Sequence, residues 1–174
     1  MSPDRTSSEN ETKRLYIVRH ADAGDPAEWI GPDAERPLSS KGVKQAARLA
    51  AALVAAGTNV GTLRTSPSRR CTETCAVIAA ALGTTATIDE NLAEGPTATH
   101  VAKLLARRGN NALLLVGHQP HLGNLIAELT GISSIPVEKG SLIRIDIAAP
   151  YTPGSGRLIA LVPPSIFRAP KSER

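Results

Sequence analysis

Residues Ala112–Val116 read Ala-Leu-Leu-Leu-Val, an unbroken apolar run that ends at Gly117-His118. So short a run, closed by turn residues, reads as a strand buried on both faces. Strands of that kind lie inside parallel sheets that carry helices on either side, which limits the chain to an α/β architecture.

The remaining segments follow the same grammar. Leu15–Arg19 reads as a first strand, followed by a polar loop holding Gly24, Pro26, Gly31, Pro32 and Pro37. Ser39 or Ser40 then caps a helix whose apolar face is expected at Val43, Ala46, Ala47, Ala50, Leu53 and Val54, with Gly57 closing it. A strand over Val60–Thr65 leads to Ser66-Pro67, which reads as an N-cap and a first-turn proline of a helix ending near Leu82 and Gly83. Thr85–Ile88 reads as a strand, Thr97–Arg108 as a helix, and Pro120–Thr130 as another helix stopped by Gly131. Leu142–Ile147 and Leu158–Val162, joined by the turn-rich Pro150–Gly156, read as an antiparallel hairpin. The expected fold is a three-layer α/β/α sandwich, with a mainly parallel central sheet and a C-terminal antiparallel hairpin. Residues 14–162 form the expected domain, with a disordered tail at 1–13 and a flexible one at 163–174.

Composition narrows the function. At 174 residues the chain suits one domain with a sizeable core. One Phe, one Trp and two Tyr supply no stacking platform for single-stranded nucleic acid. The net charge of +4 is spread partly into the ends, and Arg69-Arg70 and Arg107-Arg108 make no continuous basic face. No nucleic-acid partner is expected. No window approaches the ~18 apolar residues of a membrane span, and the N-terminal residues lack an apolar signal region. Cys71 and Cys75 stand one helical turn apart, a poor disulfide spacing, and read as small core residues of a cytoplasmic protein. A zinc site joining them to His118 and His121 is conceivable but lacks a short ligand signature.

Chemistry concentrates where strands end. In open α/β sheets ligands bind outside the carboxyl ends of the strands. Those ends offer Arg19-His20, Arg70 in the first turn after Ser66-Pro67, and His118. Helix N-termini at Ser66 and Gln119 would aim backbone N–H groups at the same place. The dipeptide alone means little, since fourteen Arg and four His give about 0.3 Arg-His pairs by chance. Its position at the end of an apolar strand, matched by the other two strand ends, points to a phosphoryl pocket.

Together, Arg19-His20-Ala21, Ser66-Pro67-x-x-Arg70 with Thr74, and Gly117-His118 resemble the signature motifs of the histidine phosphatase superfamily, the phosphoglycerate-mutase-like fold. The likeness runs through residues 14–162. Arg36-Pro37-Leu38-Ser39-x-x-Gly42-x-x-Gln45-Ala46 narrows it to the small bacterial branch resembling the phosphohistidine phosphatase SixA. Ala21 stands where many members have glycine, and Cys71 where alanine is common.

The resemblance implies a nucleophilic His20 that forms a phosphohistidine intermediate, with Arg19, His20, Arg70 and His118 binding the phosphoryl group. It requires no metal or other cofactor. A neutral imidazole attacks without a separate base, and guanidinium forks match phosphate oxygens. Family members often carry a Glu that protonates the leaving group. Glu94, in Asn91-Leu-Ala-Glu-Gly95, fits best, with Glu90 and Asp22 as rivals. Trp29 reads equally as a substrate wall or a loop anchor, His121 as a residue on the helix face near the pocket or, in preference, as a capping or surface residue, and His100 as exposed.

Phosphohistidine on a protein is the first substrate expectation. Small phosphate esters or nucleotides are the alternative, because Arg70-Cys-Thr-Glu-Thr74 is similar to a run in phosphatase domains fused to Nudix hydrolases. The larger mutase lid has no room here. A non-catalytic phosphate binder and a metal-binding module remain as readings of another class, and the oligomeric state stays open. The motifs of P-loop NTPases, zinc proteases and serine hydrolases do not occur.

Overall fold

A computed structural model describes residues 11–107 and 112–167. In chain order the elements are β1 (Thr12–Arg19), α1 (Ser40–Ala55), β2 (Thr62–Thr65), α2 (Arg69–Leu82), β3 (Ala86–Ile88), α3 (Asn91–Glu94), α4 (Ala98–Leu105), β4 (Ala112–Gly117), α5 (His121–Thr130), β5 (Leu142–Ala148) and β6 (Arg157–Val162). Two single 3₁₀ turns, Pro26–Glu28 and Asp33–Glu35, lie in the loop after β1.

The six strands form one sheet in the order β3-β2-β4-β1-β5-β6. The first four run parallel, and β5 and β6 add an antiparallel ribbon beside β1. All six residues of β4 are buried, as its apolar run demands. The side chains of β1 divide between two cores. Leu15 and Ile17 join Leu104, Leu122, Ile126 and Leu129 under α4 and α5, whereas Tyr16 and Val18 join Leu49, Leu53, Cys71 and Ile78 under α1 and α2. The expected three-layer sandwich is the observed fold.

Local departures have physical causes. The buried face of α1 is Gly42, Ala46, Leu49, Ala50 and Leu53, while Val43, Ala47 and Val54 are exposed. The helix is rotated because Gly42 lies directly against the Asp22 carbonyl, where any Cβ would collide. Ser39 caps it, accepting from the Gly42 N–H at 3.0 Å. Helix α2 starts two residues later than Ser66-Pro67 suggests, with Ser68 as its N-cap. Helix α3 was not foreseen. Helix α4 ends at Leu105, and Arg108 of the expected segment lies outside the described residues.

At the lower domain edge, β1 begins at Thr12, and Lys13 is buried with its Nζ donating to the Leu105 carbonyl at 2.9 Å. At the upper edge, Phe167 packs on the α1/α2 core. Residues 1–10 and 168–174 of the two expected tails lie outside the described residues. No helix among the described residues is long and apolar enough to cross a membrane.

Candidate active site

The carboxyl ends of β1, β2 and β4 are neighbours because β4 pairs with both other strands. The His20 N–H donates to the Gly117 carbonyl, and the Gly140 N–H reaches the carbonyls of Arg19 and His20, so the turn after β1 is held on two sides. The His20 ring is 5 % exposed, and its Nδ1 lies 2.8 Å from the Ala21 carbonyl oxygen. A carbonyl can only accept, so Nδ1 carries the proton and the Nε2 lone pair is left available. Thr74 fixes that turn. Its hydroxyl accepts from the Ala21 N–H at 3.1 Å and donates to the Arg70 carbonyl at 2.7 Å.

The β2–α2 corner supplies hydroxyls and a guanidinium. Ser66 Oγ lies 2.8 Å from His118 Nε2 and Ser68 Oγ 3.3 Å, with the Cys71 sulfur 3.5 Å from the same nitrogen. The serine expected to cap α2 thus holds His118 instead. The rings of His118 and His20 are 5.3 Å apart between centroids. Arg70 Nη1 donates to the Asp33 carbonyl at 2.6 Å and Nη2 pairs with the Asp33 carboxylate at 2.9 Å. Arg69, one position away, points outward and pairs with Glu73 at 2.7 Å.

Arg19 Nη1 donates to the Val137 carbonyl at 2.7 Å. The Nε atoms of Arg19 and Arg70 are buried and have no hydrogen-bond partner among the described residues. Both guanidinium groups line the cavity, and forked donors of this kind suit an anion. Arg36 is buried as well, held by the Asp33 carboxylate at 2.9 Å and the Ala23 carbonyl at 2.8 Å.

Burial and like charge keep both imidazoles neutral. His20 is held down to about 3, first by desolvation and further by His118, Arg70 and Arg19, although the Ala21 hydrogen bond opposes this. His118 is lowered to about 4 by desolvation and by Arg70 and His121. Asp33 is lowered by its hydrogen bond to Arg36, against a smaller desolvation effect, and stays ionised.

These groups line a cavity of about 530 Å³ together with Lys139, Ser66, Ser68, Gln119 and His121. The cavity brings together all four phosphate-site candidates, Arg19, His20, Arg70 and His118. Glu94 is exposed and does not line it, although its neighbour Ala93 does. Glu90 is likewise exposed, and Asp22 accepts hydrogen bonds from Ser39 at 2.6 Å and from the Gly24 N–H at 3.2 Å. Trp29 donates to the Pro32 carbonyl at 3.1 Å and borders a small cleft separate from the His20 cavity.

Sequence reasoning put His100 in solvent and left His121 between a place near the pocket and a capping or surface role. His121 is half-buried at the cavity wall, and His100 Nε2 pairs with Asp89 at 2.7 Å. Asp33 and Lys139 were missed, as loop residues without periodicity. Among the described residues no three His, Cys, Asp or Glu are arranged to hold a metal, and Cys71 and Cys75 are buried free thiols. The arrangement offers a neutral, oriented imidazole surrounded by cationic donors, which suits capture of a phosphoryl group.

Comparison with known proteins gives the same picture. The sequence profile of the histidine phosphatase superfamily (branch 1) matches residues 15–103, about half of the chain. An uncharacterized protein of Picosynechococcus sp. is 35 % identical over 113 residues, which are 63 % of this chain and 68 % of that one. The solved structure of the protein histidine phosphatase SixA complexed with tungstate superposes with a TM-score of 0.77 at 21 % identity, over 89 % of this chain and 99 % of that one. The α-ribazole phosphatase of Shigella flexneri superposes with a TM-score of 0.68 at 20 % identity, over 87 % and 97 %. At such identities the structural likenesses establish the fold. With the profile across its N-terminal half and the motif residues gathered in one cavity, the chain belongs to the histidine phosphatase superfamily, branch 1, and is a phosphatase.

Proposed function

We propose that the protein hydrolyses phosphohistidine on a partner protein, without a metal, through a phosphoryl group carried on Nε2 of His20. The carrying observation is the His20 Nδ1 to Ala21 carbonyl hydrogen bond at 2.8 Å, which leaves Nε2 as the free lone pair beside two arginines. In the first step the Nε2 lone pair attacks phosphorus and the bond to the leaving atom breaks. Water then cleaves the P–Nε2 bond and His20 recovers its lone pair. Arg19, Arg70 and His118 hold the equatorial oxygens, and positioning and charge supply most of the acceleration.

Two observations and one chemical argument support phosphohistidine as substrate. One of the structural neighbours is a protein histidine phosphatase. Among the described residues the one carboxylate lining the cavity, Asp33, is tied to two arginines and held ionised, so it is no proton donor. A departing imidazole nitrogen is protonated more readily than an alkoxide, so it depends less on a carboxylic acid. Residues 14–162 would be the catalytic domain, and the two buried free thiols suit the cytoplasm.

A small phosphate ester or nucleotide is the second reading, favoured by the cavity volume, which lies in the range of small-molecule sites. The test is turnover of a phosphohistidine-bearing protein, nucleotides and sugar phosphates in excess EDTA. The proposal expects phosphohistidine to have the highest kcat/KM. A nucleotide or sugar phosphate ahead of it would install the second reading. Phosphate binding without turnover of any substrate would mean a binding module.

A further inference from the structure

Among the described residues no free carboxylic acid lines the cavity beside Ala93, the neighbour of Glu94. What stands there is an imidazole. The short helix α3 turns Glu94 outward, and Gly95, with φ +114°, brings the chain back against α5. A Cβ built on Gly95 would lie 3.0 Å from His121 Nδ1, so the glycine makes room for that ring. His121 is the first residue of α5, three positions after His118, and it lines the same cavity as His20.

We propose that His121 donates the proton to the leaving group, taking the role that Glu94 does not fill. The proposal rests on the phosphatase reading above. In the first step, His20 Nε2 forms its bond to phosphorus while the bond from phosphorus to the leaving oxygen or nitrogen breaks. The proton of the His121 imidazolium passes to that leaving atom. In the second step the now neutral His121 accepts a proton from the attacking water as the P–Nε2 bond breaks. Protons and electron pairs balance over the cycle, and the protein ends as it began.

Histidine suits both steps because it exchanges protons near neutral pH. Arg19, Arg36, Arg70, Lys139 and the Asp33 carboxylate share the cavity with His121. The imidazoles of His20 and His118 are held neutral and cannot supply it. The substrates that gain most are those with poor leaving groups.

The experiment compares His121→Gln and His121→Asn with wild type on an alkyl phosphate and on p-nitrophenyl phosphate, with thermal unfolding as the check on folding. Both variants should lose about 10²–10⁴-fold in kcat on the alkyl ester, the usual contribution of a positioned acid. On p-nitrophenyl phosphate the loss should stay below about threefold, since its leaving group needs little proton assistance. Equal losses on the two esters, or none on either, would overturn the assignment. So would a leaving-group-dependent loss in Glu94→Gln. Absence of wild-type turnover on any phosphate substrate would remove the phosphatase reading itself, and this inference with it.

Discussion

Asp33 grips Arg70 at two points, its carbonyl oxygen 2.6 Å from Nη1 and its carboxylate 2.9 Å from Nη2. The same carboxylate also holds Arg36. An intramolecular anion thus occupies part of the fork that a phosphate would use. The Asp33 side chain is 58 % exposed, so losing its charge is worth at most about 1 kcal/mol, or roughly fivefold in affinity. Asp33→Asn should therefore lower the inhibition constant of inorganic phosphate about fivefold, with the gain shrinking at high salt. Weaker phosphate inhibition would mean that Asp33 mainly aligns Arg70.

Adjacent arginines should behave differently. Arg70→Ala removes a cavity guanidinium and should lower kcat/KM by at least about 10²-fold, the scale of losing one transition-state donor. Arg69 is turned about 100° away on the helix and pairs with Glu73 in solvent, so Arg69→Ala should stay within about twofold. Steady-state kinetics on any turned-over substrate decides between them. Comparable losses would place both side chains at the phosphate.

The two lowered imidazoles make stability depend on pH. Both groups bind protons in the unfolded chain near the ordinary value of 6.5, but in the native state only near 3 and 4. The unfolded state therefore binds more protons within that window, and stability falls as pH drops through it. Each group contributes at most about 1.4 kcal/mol per pH unit. Asp22, Asp33 and Asp89, lowered from 3.8, lose their stabilisation as pH falls below that value, outside the range from pH 7 to pH 5. Urea denaturation at pH 7 and pH 5 should show a drop that shrinks in His20→Asn and His118→Asn. An unchanged pH dependence in both variants would contradict these shifts.

Thr74 carries a load that only its hydroxyl can meet. Thr74→Val keeps the shape but leaves the buried Ala21 N–H without its acceptor, which costs about 1–3 kcal/mol. The turn that orients His20 should loosen too, so kcat should fall more than KM rises. Denaturant titration and kinetics check both expectations. A stability within about 0.5 kcal/mol of wild type would mean that water replaces the hydroxyl.

Much of this was legible before any coordinates. The unbroken run of β4 and the strand–helix alternation led to the sandwich, and the strand-end motifs led to Arg19, His20, Arg70 and His118. The misses share a physical origin, because each depends on a contact distant in sequence. Ser66 resembles a helix cap locally, but its hydroxyl faces His118, 52 residues away. The face of α1 is set by Gly42 against the Asp22 backbone, which hydrophobic spacing cannot register. Asp33 and Lys139 reach the cavity from loops that carry no periodicity.

The account depends most on His20 as the phosphoryl acceptor. The most direct measurement is mass-spectrometric mapping of the phosphoenzyme after brief exposure to substrate and quenching in alkali, which preserves phosphohistidine. The account predicts a phosphate on His20 in the wild type, lost on acid treatment, and none in a folded His20→Ala variant. Phosphate retained by His20→Ala, or a wild-type label that survives acid, would contradict it.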